Sequence, residues 1–176
     1  MAGLRLSAAV IIEDQEGRVL LVRQNPNRGG QWGPPAGHSE KDDFRESALS
    51  TARREAREET GFDVLLEFDI RLDDGTFQLG PARTLGIFRK RDSWGFVFAG
   101  TLVGEKRYPL EPDIVDVAWF GEGRIHDLFK HGQLYRPWIN LPFLVKELTD
   151  EESEFVRSEN HCRGIVLFIN PRTRPR

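Results

Sequence analysis

The sequence predicts an α/β fold, a three-layer α/β/α sandwich in which a mixed β-sheet is packed between helices. Three observations predict it. Short segments with strand-like apolar patterning recur along the chain, and one amphipathic helix interrupts them over residues 47–60. At 176 residues the chain fits one domain with a real core. Its 39% hydrophobic and 30% charged residues are those of an ordinary soluble globule.

The elements follow in order. Residues 5–13 and 18–25 read as a hairpin across Asp14-Gln15-Glu16-Gly17. The apolar run ending at Ile12 is far too short to span a bilayer, and no targeting segment is expected. Trp32-Gly33-Pro34-Pro35-Ala36-Gly37-His38-Ser39-Glu40 is a turn-rich loop whose prolines fix its path and whose glycines let backbone approach a ligand. Glu46-Ser47-Ala48-Leu49 opens the helix, and Ala48, Leu49, Ala52 and Ala56 form its apolar stripe, with acids expected on the face away from the alanines. Gly61 ends it as a left-handed C-cap, and Phe62-Asp63-Val64-Leu65-Leu66 starts the next strand. Further strands are predicted at 62–71, 83–91, 94–103 and 113–120, with Asp92-Ser93 marking a turn before Trp94. Helices are predicted over Arg124–Phe129 and 137–148, and a late strand over 163–169. Residues 1–170 are thus read as one domain, and the basic, proline-bearing segment 171–176 as a frayed tail.

A net charge of −3 argues against general binding to nucleic acid or to anionic membranes. The single cysteine, Cys162, forbids an internal disulfide and fits a reducing, cytoplasmic compartment. Neither it nor the adjacent His161 has the base arrangement a nucleophile requires. The expected partner is therefore a small molecule, with a homodimer as the assembly to test.

The most informative stretch is Arg54-Glu55-Ala56-Arg57-Glu58-Glu59-Thr60-Gly61-Phe62. Glu55, Glu58 and Glu59 stand at i, i+3 and i+4, so a helix brings three like charges into one small volume. A lone acidic cluster is usually a solvated helix face. A hard divalent cation shared with substrate phosphates would instead make the arrangement favourable.

These residues resemble the Nudix box, Gly-x5-Glu-x7-Arg-Glu-U-x-Glu-Glu-x-Gly-U with U aliphatic. From Glu46 the spacing fits through Arg54-Glu55, Glu58-Glu59, Gly61 and Phe62. Five identities at fixed spacing arise by chance roughly once per million starting points. There are three departures. Gly37 lies nine residues before Glu46 instead of six, so the Lys41–Arg45 region carries an insertion, which loops tolerate. Ala56 replaces a larger aliphatic, and Phe62 stands at the last aliphatic position.

The resemblance implies a Nudix fold and a Mg²⁺-dependent hydrolase, with Mn²⁺ as an alternative ion. It implies Glu58 and Glu59 as principal metal ligands, Glu55 as a further ligand and the Ala36 carbonyl completing the shell. Arg54 would orient an acid and Glu46 would do structural work. A general base is often a glutamate from the helix or from a later loop. Here the loop candidates are Glu105, Glu111 and Asp113, with Asp113 ranked first.

Trp32 to His38 resembles the corresponding loop of a bacterial Nudix branch active on nucleoside tri- and diphosphates and thiamine diphosphate, and Asp113–Trp119 adds a weaker likeness. A Pro-Ala-Gly sequence also occurs in ADP-ribose hydrolases, where Pro81 could match a proline beyond the box, so ADP-ribose or an ADP-sugar is the alternative substrate. Arg23, Arg28, Trp32 and Gly37 are the substrate-binding candidates; Phe77, Trp94 and Trp138 join Trp32 as rings that could stack on a base. An isopentenyl diphosphate isomerase would need a catalytic cysteine, and Cys162 comes too late. A non-catalytic nucleotide-sensing Nudix domain commonly loses box acids, and all three are present here.

Overall fold

The computed structural model describes residues 5–40, 47–66, 70–71, 77–78, 84–90, 93–135 and 166–169. Its strands are β1 (Arg5–Ile12), β2 (Val19–Gln24), β3 (Trp32–Gly33), β4 (Ala36–His38), β5 (Asp63–Leu66), β6 (Ile70–Arg71), β7 (Phe77–Gln78), β8 (Thr84–Lys90), β9 (Ser93–Val103), β10 (Ile114–Phe120) and β11 (Val166–Ile169). The helices are α1 (Ala48–Thr60) and α2 (Glu122–Lys130), with a short 3₁₀ turn at Pro26–Arg28.

The principal sheet runs β11-β8-β9-β1-β4, and β5 also pairs with β9. It is mixed: β1 runs parallel to β9, from Arg5 opposite Ser93 to Ile12 opposite Gly100, while β4, β5, β8 and β11 pair antiparallel. β5 and β8 share one edge of the long β9, since β5 takes Gly100–Val103 and β8 takes Ser93–Phe98. A three-stranded sheet, β10-β2-β3, and the small β6-β7 pair complete the strands.

Strand β1 divides two cores because successive side chains leave a strand on opposite faces. Ala8, Val10 and Ile12 pack with Ala52 and Ala56 of α1, Val64, Leu66 and Phe98. Ala9 and Ile11 pack with Leu21, Val97 and with Ile125 and Leu128 of α2. Helix, sheet and helix are thus stacked as the sequence predicted, and no helix among the described residues is long and apolar enough to cross a membrane.

One local expectation is overturned. β1 and β2 are joined by a tight turn, with Asp14 N–H donating to the Arg18 carbonyl at 2.9 Å and Gly17 at φ 72°, but they do not form a hairpin. Only an isolated bridge, Glu13 to Val19, connects them before β2 leaves for the second sheet. Both edges of β1 are taken by β9 and β4, and both its faces are buried, which makes it a central strand.

Helix α1 follows from its ends. Ser47 caps it by accepting the Ser50 N–H at 3.1 Å, and Gly61 closes it at φ 79° with its N–H on the Arg57 carbonyl. Strands predicted at 83–91, 94–103 and 113–120 match β8, β9 and β10 within one or two residues, and the helix predicted at Arg124–Phe129 lies within α2. Of the 62–71 prediction, β5 and β6 are described at either end. The Asp92 side of its turn, the 137–148 helix and the 171–176 tail lie outside the described residues, as do Glu46, Pro81, Trp138, His161 and Cys162.

Candidate active site

The site forms where α1 meets β4. At about 100° per residue, Glu59 falls about 20° from Ala52 around the helix and Glu55 about 60°. Both acids therefore share the buried flank of the helix instead of facing away from the alanines, as the apolar stripe alone suggested. Glu55 is 7% exposed and Glu59 6%. Glu58 points off this flank, and its side chain is 43% exposed.

Backbone from β4 receives the buried acids. The Ala36 N–H donates to Glu59 Oε2 at 2.8 Å. Gly37 lies against the Glu55 carboxyl so closely that a Cβ there would overlap it. That contact explains a glycine at this position: only a residue without a side chain lets strand and carboxylate approach.

Arg54 ties the remaining groups together. Its guanidinium reaches Glu55 Oε1 at 2.9 Å, Glu58 Oε2 at 3.0 Å and the His38 carbonyl at 2.8 Å. Glu40 lies farther off, at 3.9 Å. The i,i+4 pair with Glu58 exists, but Arg54 also bridges helix and β4, so it does more than decorate a surface.

A third carboxylate comes from outside the helix. Glu111 follows β9 on the loop leading to β10, and its N–H donates to the Glu58 carbonyl at 2.8 Å. One carboxylate oxygen from each of Glu55, Glu59 and Glu111 lies within 4.8 Å of the others. Burial raises the Glu55 carboxyl to about 7, against the lowering effect of Arg54 and with help from the charges of Glu58 and Glu111. Burial likewise pushes Glu59 well above the ordinary glutamate value, outweighing the Ala36 hydrogen bond, while Glu55, Glu111 and Glu58 add repulsion.

The other sequence candidates lie at varying removes. Asp113 is ion-paired with Arg28 at 3.0 Å, and its carbonyl accepts the Asn25 N–H at 2.7 Å; it is not in the three-carboxylate group. Glu105 is likewise outside that group, exposed beside Gly104. Arg23 donates to the Gly30 carbonyl at 3.3 Å and lies 6.0 Å from the centre of the Trp32 ring. Trp32 packs edge-on against Phe120, with ring centres 4.7 Å apart, on the α2-side core. Phe77 and Trp94 lie in β7 and β9. The sequence offered Glu111 as a loop candidate for the general base, behind Asp113; no spacing within the helix signals that it joins Glu55 and Glu59, because it arrives from a loop.

Three carboxylates in so small a space, two of them removed from water, form a hard oxygen donor set suited to a divalent cation. The chain matches the NUDIX domain family over residues 3–141. Among solved structures it is similar to a NUDIX hydrolase from Nitrosomonas europaea, at 23% identity and a TM-score of 0.56, with 90% of each chain covered. It is similar also to a MutT protein from Methanosarcina mazei Go1, at 20% identity and a TM-score of 0.53, with 88% of this chain and 94% of that one covered. An ADP compounds hydrolase aligns at 17% identity and a TM-score of 0.50, over 91% of this chain and 75% of that one. No curated protein matches the sequence. A family match over residues 3–141, a shared fold and two box acids, Glu55 and Glu59, that meet Glu111 at one point agree: the protein belongs to the Nudix family.

Proposed function

We propose that the protein hydrolyses a phosphoanhydride bond of a nucleoside di- or triphosphate, or of a related diphosphate, with Mg²⁺ as its ion and Mn²⁺ as a substitute. The observation that carries this reading is the convergence of Glu55, Glu59 and Glu111 oxygens within 4.8 Å. The fit of a cation rests on the chain itself: Glu55 and Glu59 are held out of water at a cost that a nearby positive charge would relieve. Those three carboxylates would hold the ion, with the Ala36 carbonyl as a further ligand and Glu58 in reserve beside Arg54. Bound there, a divalent ion neutralises charge developing on phosphoryl oxygens and acidifies water.

The chain's own groups supply the rest. Arg54 fixes the rotamers of Glu55 and Glu58, a pre-organising role. Gly37 leaves room for the Glu55 carboxyl to sit against β4. Arg28 and Arg23 offer cations on the approach to the site, with Trp32 beneath Arg23. Water attacks phosphorus, the anhydride P–O bond breaks, and a rim carboxylate accepts the water's proton. Glu58 suits that task better than Asp113, because Arg54 ties it to Glu55 beside the three-carboxylate group, whereas Asp113 is paired with Arg28 outside that group.

The test is a panel of nucleoside tri- and diphosphates, thiamine diphosphate, ADP-ribose and ADP-sugars with Mg²⁺ supplied. Cleavage of a nucleotide or a simple diphosphate is expected, and Glu59→Gln should remove most of it while the fold persists. Exclusive cleavage of ADP-ribose or ADP-sugars would replace the substrate class. Binding without turnover of any compound would leave a nucleotide sensor.

A further inference from the structure

The loop that carries Glu111 is fastened to the end of α1. After β9 the chain turns at Gly104, φ 71°, and returns across the helix C-terminus. The Gly61 carbonyl accepts both the Arg107 and Tyr108 N–H groups, at 2.9 and 3.2 Å. The approach is close enough that a Cβ on Gly61 would lie 2.7 Å from the Tyr108 carbonyl oxygen. The Gly61 position therefore both ends the helix and receives the loop.

Side chains close the same junction. The Tyr108 hydroxyl donates to Asp63 Oδ2 at 3.4 Å. Asp63 Oδ1 accepts from Arg57 Nε at 2.9 Å and pairs with its Nη2 at 2.9 Å. The Arg57 guanidinium lies 5.1 Å from the centre of the Tyr108 ring. Each of the three thus touches the other two, and Arg57 and Asp63 belong to α1 and to the first position of β5. Three residues on, Glu111 is exposed yet held beside two buried acids. Repulsion would turn an exposed carboxylate on an untethered loop out into water.

We propose that the Tyr108–Asp63–Arg57 clasp sets Glu111 against Glu55 and Glu59, which makes Tyr108 a positioning residue for the cation site. The inference rests on the reading of those carboxylates as metal ligands, and the experiment separates the two. Mn²⁺ affinity of the full chain, without substrate, is measured by the loss of the free-ion paramagnetic resonance signal. The set is wild type, Glu111→Gln, Tyr108→Ala, Tyr108→Phe and the Glu111→Gln/Tyr108→Ala pair, with melting temperature as the folding control.

Tyr108→Ala is expected to weaken Mn²⁺ binding about ten-fold, in the range found when support of a ligand is lost. Tyr108→Phe keeps the ring on Arg57 and should retain most of the affinity. The double variant should bind no more weakly than Glu111→Gln alone, because Tyr108 acts only through Glu111. Additive losses, or an unchanged affinity in Tyr108→Ala beside a weakened Glu111→Gln, overturn the clasp and leave the metal site standing. Unchanged affinity in Glu111→Gln overturns the ligand reading, and the clasp with it. If Tyr108→Ala does not fold, Arg57→Gln on the exposed helix surface serves in the same cycle with the same expected outcomes.

Discussion

Without divalent cations, raising the pH from about 4.5 to about 7 is expected to destabilise the folded protein. Glu55 has an ordinary value of 4.5 when unfolded and about 7 when folded, chiefly because burial disfavours its charged form. Between those values the folded state binds more protons than the unfolded chain, so stability is greatest below the lower one and falls as pH rises towards the upper. At 1.36 kcal/mol per pH unit, the interval corresponds to about 3 kcal/mol for Glu55. Glu59 is raised for the same reason and acts in the same direction. The assay is urea unfolding in chelator at several pH values, with the m-value checked for constancy. Glu55→Gln cannot ionise and should flatten the profile. A wild-type stability that rises across this range, or a Glu55→Gln profile as steep as wild type, would refute the reasoning.

Two substitutions probe the geometry around that carboxyl. Gly37→Ala places a Cβ where the Glu55 carboxyl now lies, and must displace either the acid or β4. A loss of Mn²⁺ affinity and turnover of about ten-fold or more is expected, read by titration and by initial rates. Arg54→Lys keeps the charge but exchanges a planar fork for one ammonium, which cannot serve Glu55, Glu58 and the His38 carbonyl together. Turnover should fall about ten-fold, with melting temperature nearly unchanged; full activity would show that charge alone suffices.

What could be read in the sequence was local. Helix α1 was legible because its apolar stripe repeats at helical spacing and Gly61 acts within one turn of its end. The box acids were legible because Arg54, Glu55, Glu58, Glu59 and Gly61 keep the family's spacing, which an ordinary acidic helix face does not. The pairing of β1 with β9 was not, since nothing near residues 5–12 encodes a parallel partner more than 80 residues away. The apolar continuity of Ala8-Ala9-Val10-Ile11-Ile12 did carry a signal: a strand buried on both faces is central, and a two-stranded hairpin leaves one face open. Arithmetic on the helix would also have set Glu55 and Glu59 beside Ala52 and Ala56, because positions 52, 55, 56 and 59 share one flank. Glu111 was legible as a loop acid for the site, but its place against Glu55 and Glu59 needed the third dimension.

The burial of two acids beside an alanine stripe joins stability to activity. A carboxylate on an open helix face is already solvated, so a cation gains little by replacing water around it. Glu55 and Glu59 have given up that solvation on folding, and the core made by Val10, Ile12, Leu20 and Ala56 offsets the cost. Among the described residues, Glu59 takes one backbone N–H, from Ala36, and Glu55 shares the guanidinium of Arg54. Neither neutralises the three-acid group, which therefore retains a demand for positive charge. The fold thus stores at the end of α1 an electrostatic deficit that a divalent ion can cancel. On the proposed function, a position that is unfavourable for an isolated protein would become favourable once an ion and phosphate oxygens completed it.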